Sequence, residues 1–110
     1  MQLSLRQSGD TTVVVVDGNI DLYNSPELRR ALLGALQAKG AKRVLVNLQK
    51  VKYIDSSGIA SLVEGLKASR TAGVRLSLVG LSPAAREVLE MSRLAKLFEV
   101  YESEEQAFAT

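Results

Sequence analysis

The sequence predicts a single α/β domain with a mixed, mostly parallel central sheet, helices packed on it and an N-terminal β-hairpin. Three observations carry that expectation. Strand-like and helix-like runs alternate along most of the chain, the pattern of parallel strands joined by helical crossovers. Two strand-like runs open the chain back to back, separated only by Ser8-Gly9-Asp10. A length of 110 residues gives room for one domain with its own core and too little for two.

Each element has its own signal. Leu3-Ser4-Leu5-Arg6 alternates with the two-residue period of a strand, and Thr11 to Val16 is β-branched throughout. Asp17-Gly18-Asn19 breaks the pattern. A helix follows: Asn24 or Ser25 can cap it, Pro26 suits its first turn, and Glu27 complements the positive end of its dipole. Leu28, Ala31, Leu32, Ala35 and Leu36 give this helix one apolar face, and Gly40 ends it. Arg43 to Leu48 is a short apolar run suited to the middle of a sheet. After Tyr53-Ile54-Asp55-Ser56-Ser57-Gly58 a second helix is expected to about Ala72, with Ile59, Leu62, Val63 and Leu66 inward and Gly73 as its stop. Val74 to Val79 reads as a strand, and Ser82-Pro83 opens a third helix with Ala85, Val88 and Leu89 inward. Leu97 to Tyr101 is expected as a last strand. Ser103 with Gln106 forms a capping box for a brief final helix. No internal repeat, low-complexity stretch or linker interrupts residues 1–110, so one domain is expected throughout.

Composition narrows the function before any motif does. The chain has no cysteine and no histidine. Disulfides and thiolate metal sites are thereby excluded, and both the commonest general base and the commonest metal ligand are missing. No cofactor or metal is expected, and the protein reads as a non-enzyme. The longest aliphatic run, Val13 to Val16, is far short of the ~20 residues that span a bilayer. The first residues also lack the basic-then-apolar order of a secretory signal. A cytoplasmic protein without membrane insertion is expected. The 14 basic and 12 acidic residues are interleaved. The densest basic cluster, Lys39, Lys42 and Arg43, has no aromatic neighbours for base stacking and reads as solvated surface around a turn, so no direct nucleic-acid contact is expected.

The chemistry is expected where the third strand runs into the second helix, since sites in open α/β sheets gather at strand carboxyl ends. Asp55 or Ser57 can cap that helix. Two serines and a glycine exceed what a cap needs, and Gly58 in a first turn costs helix propensity while leaving the neighbouring hydroxyl uncovered. A phosphate on Ser57 would bring about −1.5 to −2 charges to the positive end of a helix, where unpaired N–H groups can receive an anion without refolding. An enzyme using Ser57 as a nucleophile is disfavoured. No Gly-x-Ser-x-Gly or Ser-x-x-Lys spacing occurs, and no histidine is present to activate the hydroxyl. A Walker-type nucleotide loop is absent too.

Ile54-Asp55-Ser56-Ser57-Gly58 followed by Ile59 resembles the signature loop and helix start of the STAS domain family, and more narrowly of the bacterial anti-sigma factor antagonists. Upstream, Gly18-Asn19-Ile20-Asp21, a short polar stretch and Ser25-Pro26-Glu27-Leu28-Arg29 are similar to the family's segment before its first helix. The resemblance extends over essentially the whole chain. It implies a STAS fold and an antagonist that binds a partner switch anti-sigma factor, itself a serine kinase, and so frees a sigma factor. It implies ATP-dependent phosphorylation of Ser57, loss of kinase affinity on modification, and reversal by a metal-dependent serine phosphatase. Asp21 matches an aspartate close to the phosphorylation loop, although by its residue type alone it serves equally well to tidy a turn. Asn19 stands where an acidic residue is common, which implies weaker charge around the loop. The partner-binding set expected on these grounds is Asp21, Asn24, Asp55, Ser56, Ser57, Gly58, Ser61 and Gly65. The last two are small residues expected on the exposed side of the second helix. Approach of a partner helix and packing on a neighbouring strand account equally well for Gly65. The alternative function is a constitutive STAS accessory subunit of a lipid-transport or stress-signalling assembly.

Overall fold

The computed structural model describes all residues 1–110. Five strands and four helices run in the expected order: β1 (Gln2–Ser8), β2 (Thr11–Asp17), α1 (Ser25–Gln37), β3 (Arg43–Lys50), α2 (Ser56–Ala72), β4 (Arg75–Val79), α3 (Pro83–Met91), β5 (Glu99–Tyr101) and α4 (Glu104–Phe108). The strands form one sheet in the spatial order β1-β2-β3-β4-β5. β1 and β2 pair antiparallel as a hairpin, and every later pairing is parallel. The mixed sheet of the sequence reading is therefore the observed one. No helix is long and apolar enough to cross a membrane.

One difference lies before β5. The segment expected as a strand from Leu97 opens instead with a 3-10 turn over Ala95–Leu97 and pairs only from Glu99. Short-range bonds from Leu97 N–H to Leu94 O and from Phe98 N–H to Ala95 O take the backbone groups a strand would need. Phe98 is buried and anchors the turn.

The two faces of the sheet are covered unequally. Val14, Val16, Val44, Val46, Leu48, Leu76 and Leu78 point to one face, where they meet Leu28 and Leu32 of α1, Leu62 and Leu66 of α2 and Leu89 of α3. Alternation sends Val13, Leu45 and Val79 to the opposite face, where Ala107 of the five-residue α4 covers them. Ser103 caps α4 by accepting from Gln106 N–H, while Gln106 Oε1 accepts from Glu102 N–H, one residue before the position a capping box uses.

Polar groups fasten α4. Arg43, expected at the surface, is buried: its guanidinium donates to Ala107 O at 2.8 Å and to Ser77 Oγ at 3.2 Å and lies against the Tyr101 ring. Strand alternation explains the correction, because Arg43 shares its face with Leu45 and Ser77 rather than with the preceding turn. Glu104 accepts from Arg6 at 2.6 and 2.7 Å and from Asn47 Nδ2 at 2.6 Å. The Arg6 hydrogen bonds hold the Glu104 carboxyl below its ordinary range, and the Arg75 hydrogen bonds do the same for Glu99.

Candidate functional site

β3 ends at Lys50, and the chain reaches α2 through an extended segment whose Ile54 bridges Ile20 in parallel fashion. This bridge brings the β2–α1 connection beside the start of α2. Ile20 N–H donates to Tyr53 O and Asp55 N–H to Ile20 O, both at 3.1 Å, while Tyr53 N–H donates to Asn19 Oδ1 at 3.1 Å. Two segments more than thirty residues apart in sequence therefore form one rim at the carboxyl end of the sheet.

Asp55 is the N-cap of α2. Its Oδ1 accepts from Ser57 N–H at 2.9 Å and from Gly58 N–H at 3.1 Å. Of the two caps left open by the sequence, the aspartate is thus the one used. The finding also corrects the expectation of unpaired N–H groups around Ser57: its own amide and the next are already taken, which leaves only that of Ser56 in this turn. The other carboxylate oxygen, Oδ2, reaches back to accept from Leu22 N–H at 3.1 Å.

Asp21 and Asn24 organise the β2–α1 loop. Asp21 Oδ1 accepts from Tyr23 N–H and Asn24 N–H, while Asn24 Oδ1 accepts from Asp21 N–H at 2.9 Å. Asn24 Nδ2 donates to Asn19 O at 3.0 Å. Asn24 holds the N-cap position of α1, but its side chain makes no cap bond there because the loop uses it. The turn-tidying role read for Asp21 is the one its bonds perform. The Leu22–Asp55 bond fastens the loop that carries Asp21 and Asn24 to the start of α2.

Ser56 and Asp55 are exposed, and Ser57 is half-buried in the first turn of α2 with a hydroxyl that makes no hydrogen bond. Gly58 is buried, for a reason other than uncovering a neighbour. A Cβ there would lie 2.4 Å from Ile54 Cγ1 and 2.7 Å from Ile20 Cγ2, so the glycine lets the helix start sit directly on the bridge. Ser61 and Gly65 are corrected more sharply. Both are buried, not exposed. Ser61 Oγ donates to Ser25 O at 3.1 Å and to Ser57 O at 3.2 Å, and a Cβ at Gly65 would stand 3.2 Å from Leu32 Cδ1. They form the seam along which α2 packs against α1. Neither lies on the exposed side of α2.

Sequence reasoning passed over the apolar groups around the rim. Leu22, Tyr23 and Tyr53 are 65%, 91% and 63% exposed, three of the seven large apolar side chains the molecule leaves in water. Their signal was present as bulky residues inside otherwise polar turns. An open cleft of about 480 Å³ also runs between α2 and α3, lined by Ile59, Ala60, Val63, Val88 and Leu94 with Ser56 at its edge.

The site is thus a half-exposed serine on a helix start, framed by an aspartate cap and set on an α/β sheet opened by a hairpin. The STAS domain model matches residues 2–107, and the chain belongs to that family. It is 34% identical over 92 residues to an anti-sigma-B factor antagonist of Staphylococcus aureus, a match covering 84% of each chain. Among solved structures, the fold superposes with a TM-score of 0.85 on an anti-sigma factor antagonist STAS domain protein from Planctomyces limnophilus, at 21% identity over 97% of this chain and 95% of that one. It superposes at 0.82 on unphosphorylated SpoIIAA, at 21% identity over 97% and 93%, and at 0.75 on the phosphorylated form of that Bacillus cell fate determinant, at 21% over 98% and 97%.

Proposed function

We propose that this chain is an anti-sigma factor antagonist that binds its anti-sigma factor with Ser57 unmodified and is turned off by phosphorylation there. The observation that carries the reading is the Ser57 hydroxyl, free of hydrogen bonds on the first turn of α2 and beside an exposed apolar rim. The names of the relatives support the class of partner. In the modification, Ser57 Oγ attacks the γ-phosphorus of ATP, its proton passes to a base on the kinase, and the bond to the β-phosphate oxygen breaks to release ADP. The product adds a dianion to a rim that already holds Asp21 and Asp55, so the surface around the apolar side chains changes from mildly to strongly negative. A partner whose socket accepts the apolar rim then faces unpaired charge and dissociates, freeing itself to hold a sigma factor. A serine phosphatase hydrolyses the phosphoester and resets the chain.

The test is intact-mass spectrometry after incubation with ATP and the partner kinase, beside Ser57→Ala. One added phosphate on the wild type and none on the variant is the expected result. An unmodified wild type that still binds the partner contradicts the switch and favours a constitutive STAS subunit.

A further inference from the structure

Asp55 joins two elements through a single carboxylate. Oδ1 holds the start of α2 through the Ser57 and Gly58 amides, and Oδ2 holds the β2–α1 loop through the Leu22 amide. Every other side-chain bond of residues 21–24 stays within that loop or reaches back to Asn19. Between residues 21–24 and the serine loop, the Leu22–Asp55 bond is therefore the one polar tie. The segment it fastens carries Leu22 and Tyr23, the latter the most exposed large apolar side chain in the molecule.

The geometry points to Asp55 as a relay: a phosphate on Ser57 displaces the Asp55 carboxylate from α2 and thereby releases the Leu22–Tyr23 lip, dismantling the apolar contact that a partner protein grips. The inference rests on Ser57 being the modified residue and adds how the modification is transmitted. The Ser57 and Gly58 amides are the anion-receiving groups of this helix start, and Asp55 already fills them. A phosphate dianion with three acceptor oxygens competes for the same two donors from the adjacent side chain. Two anions do not share two N–H groups without strong mutual repulsion. Both oxygens belong to one planar group, so a phosphate that draws Oδ1 away from α2 also turns Oδ2 from its place at Leu22. Asp55 is thus a positioning residue. The surface it positions is Leu22 and Tyr23, with Tyr53 on the neighbouring turn, and it fits a protein face bearing an apolar socket. Release acts on the lip alone, since Ile20 remains bonded to Tyr53 O and Asp55 N–H.

The experiment uses the full chain with phosphoserine installed at position 57 during synthesis, so that no kinase is involved, and reads backbone amides by NMR. In the unmodified chain the Leu22 amide proton should lie downfield, as carboxylate-bonded amides do. With phosphoserine it should lose that shift and exchange about tenfold faster, the equivalent of one hydrogen bond lost, while the Ile20 amide stays unchanged. Asp55→Asn gives the second arm. Asparagine is a favoured N-cap, so its single carbonyl oxygen should stay with the two α2 amides; the Leu22 shift should then already be lost, and phosphoserine should change it no further. A Leu22 amide that keeps its shift and exchange rate in the phosphoserine chain overturns the relay. That outcome leaves the switch itself standing, because the mass measurement decides it separately.

Discussion

Two polar clusters of this molecule use the same residue types to opposite ends. Around α4, two carboxylates meet guanidinium groups, Glu104 with Arg6 and Glu99 with Arg75, while Asn47 also donates to Glu104 and Arg43 donates to Ser77 and the Ala107 carbonyl. At the α2 rim, Asp21 and Asp55 meet only backbone N–H groups, and neither has a cation partner. The first arrangement satisfies charge with charge and closes the second face of the sheet. The second shapes two loops and leaves negative charge and three apolar side chains facing outward. A cluster that neutralises itself serves the fold, and one that shapes backbone while staying unbalanced is open to a partner.

Variants separate the two roles, beginning with the largest effect on stability. Gly58→Ala forces a Cβ against Ile54 and Ile20. The overpacking outweighs the helix propensity gained, so it should lower stability by about 2 kcal/mol in urea denaturation and weaken partner binding with it. Arg43→Met removes the bonds to Ala107 and Ser77 but keeps the apolar stem. It should cost about 1–2 kcal/mol and expose α4 to amide exchange, with Ser57 phosphorylated at the wild-type rate.

Glu104→Gln should cost about 1 kcal/mol near neutral pH, and its pH dependence sharpens the comparison. The carboxyls of Glu104 and Glu99 are held below the ordinary value of 4.5, so the unfolded chain binds more protons than the folded one as pH falls through that range. Their contribution is complete above the unfolded value and is lost as pH drops through the folded ones. Urea midpoints followed from about pH 5.5 to about pH 3 should fall for the wild type and fall less steeply for Glu104→Gln.

Tyr23→Ala sits at the other extreme. It should leave stability within about 0.5 kcal/mol, since the ring is almost wholly in water, yet weaken partner binding by at least about tenfold. Equal binding by Tyr23→Ala and wild type would remove the rim from the interface.

The order of elements was legible because it rests on large apolar residues at regular spacing. Leu28, Leu32 and Leu36 announce α1, the β-branched run announces β2, and Gly73, with φ of 70°, ends α2 as its place in the sequence indicated. Ser57 was read as a candidate site because two serines and a glycine at a helix start exceed what a cap needs, and because the segment resembles the STAS signature loop. What escaped had small or long side chains whose burial depends on a distant element. Ser61 and Gly65 look polar or empty on a helical wheel, and only the approach of Leu32 and Ser25 shows that smallness there makes room for α1. Arg43 reads as part of a basic turn until α4, more than sixty residues on, supplies the carbonyl that buries it. Gly58 showed its cost in the sequence but not its cause, which is a bridge between Ile20 and Ile54 that no local pattern predicts.

The most direct test of the central claim is a calorimetric titration of the partner anti-sigma factor with the unmodified chain and with the chain carrying phosphoserine at position 57. Loss of at least about tenfold in affinity on modification, roughly 1.4 kcal/mol, is the result expected of a switch at this rim. Equal affinities for the two forms would contradict it.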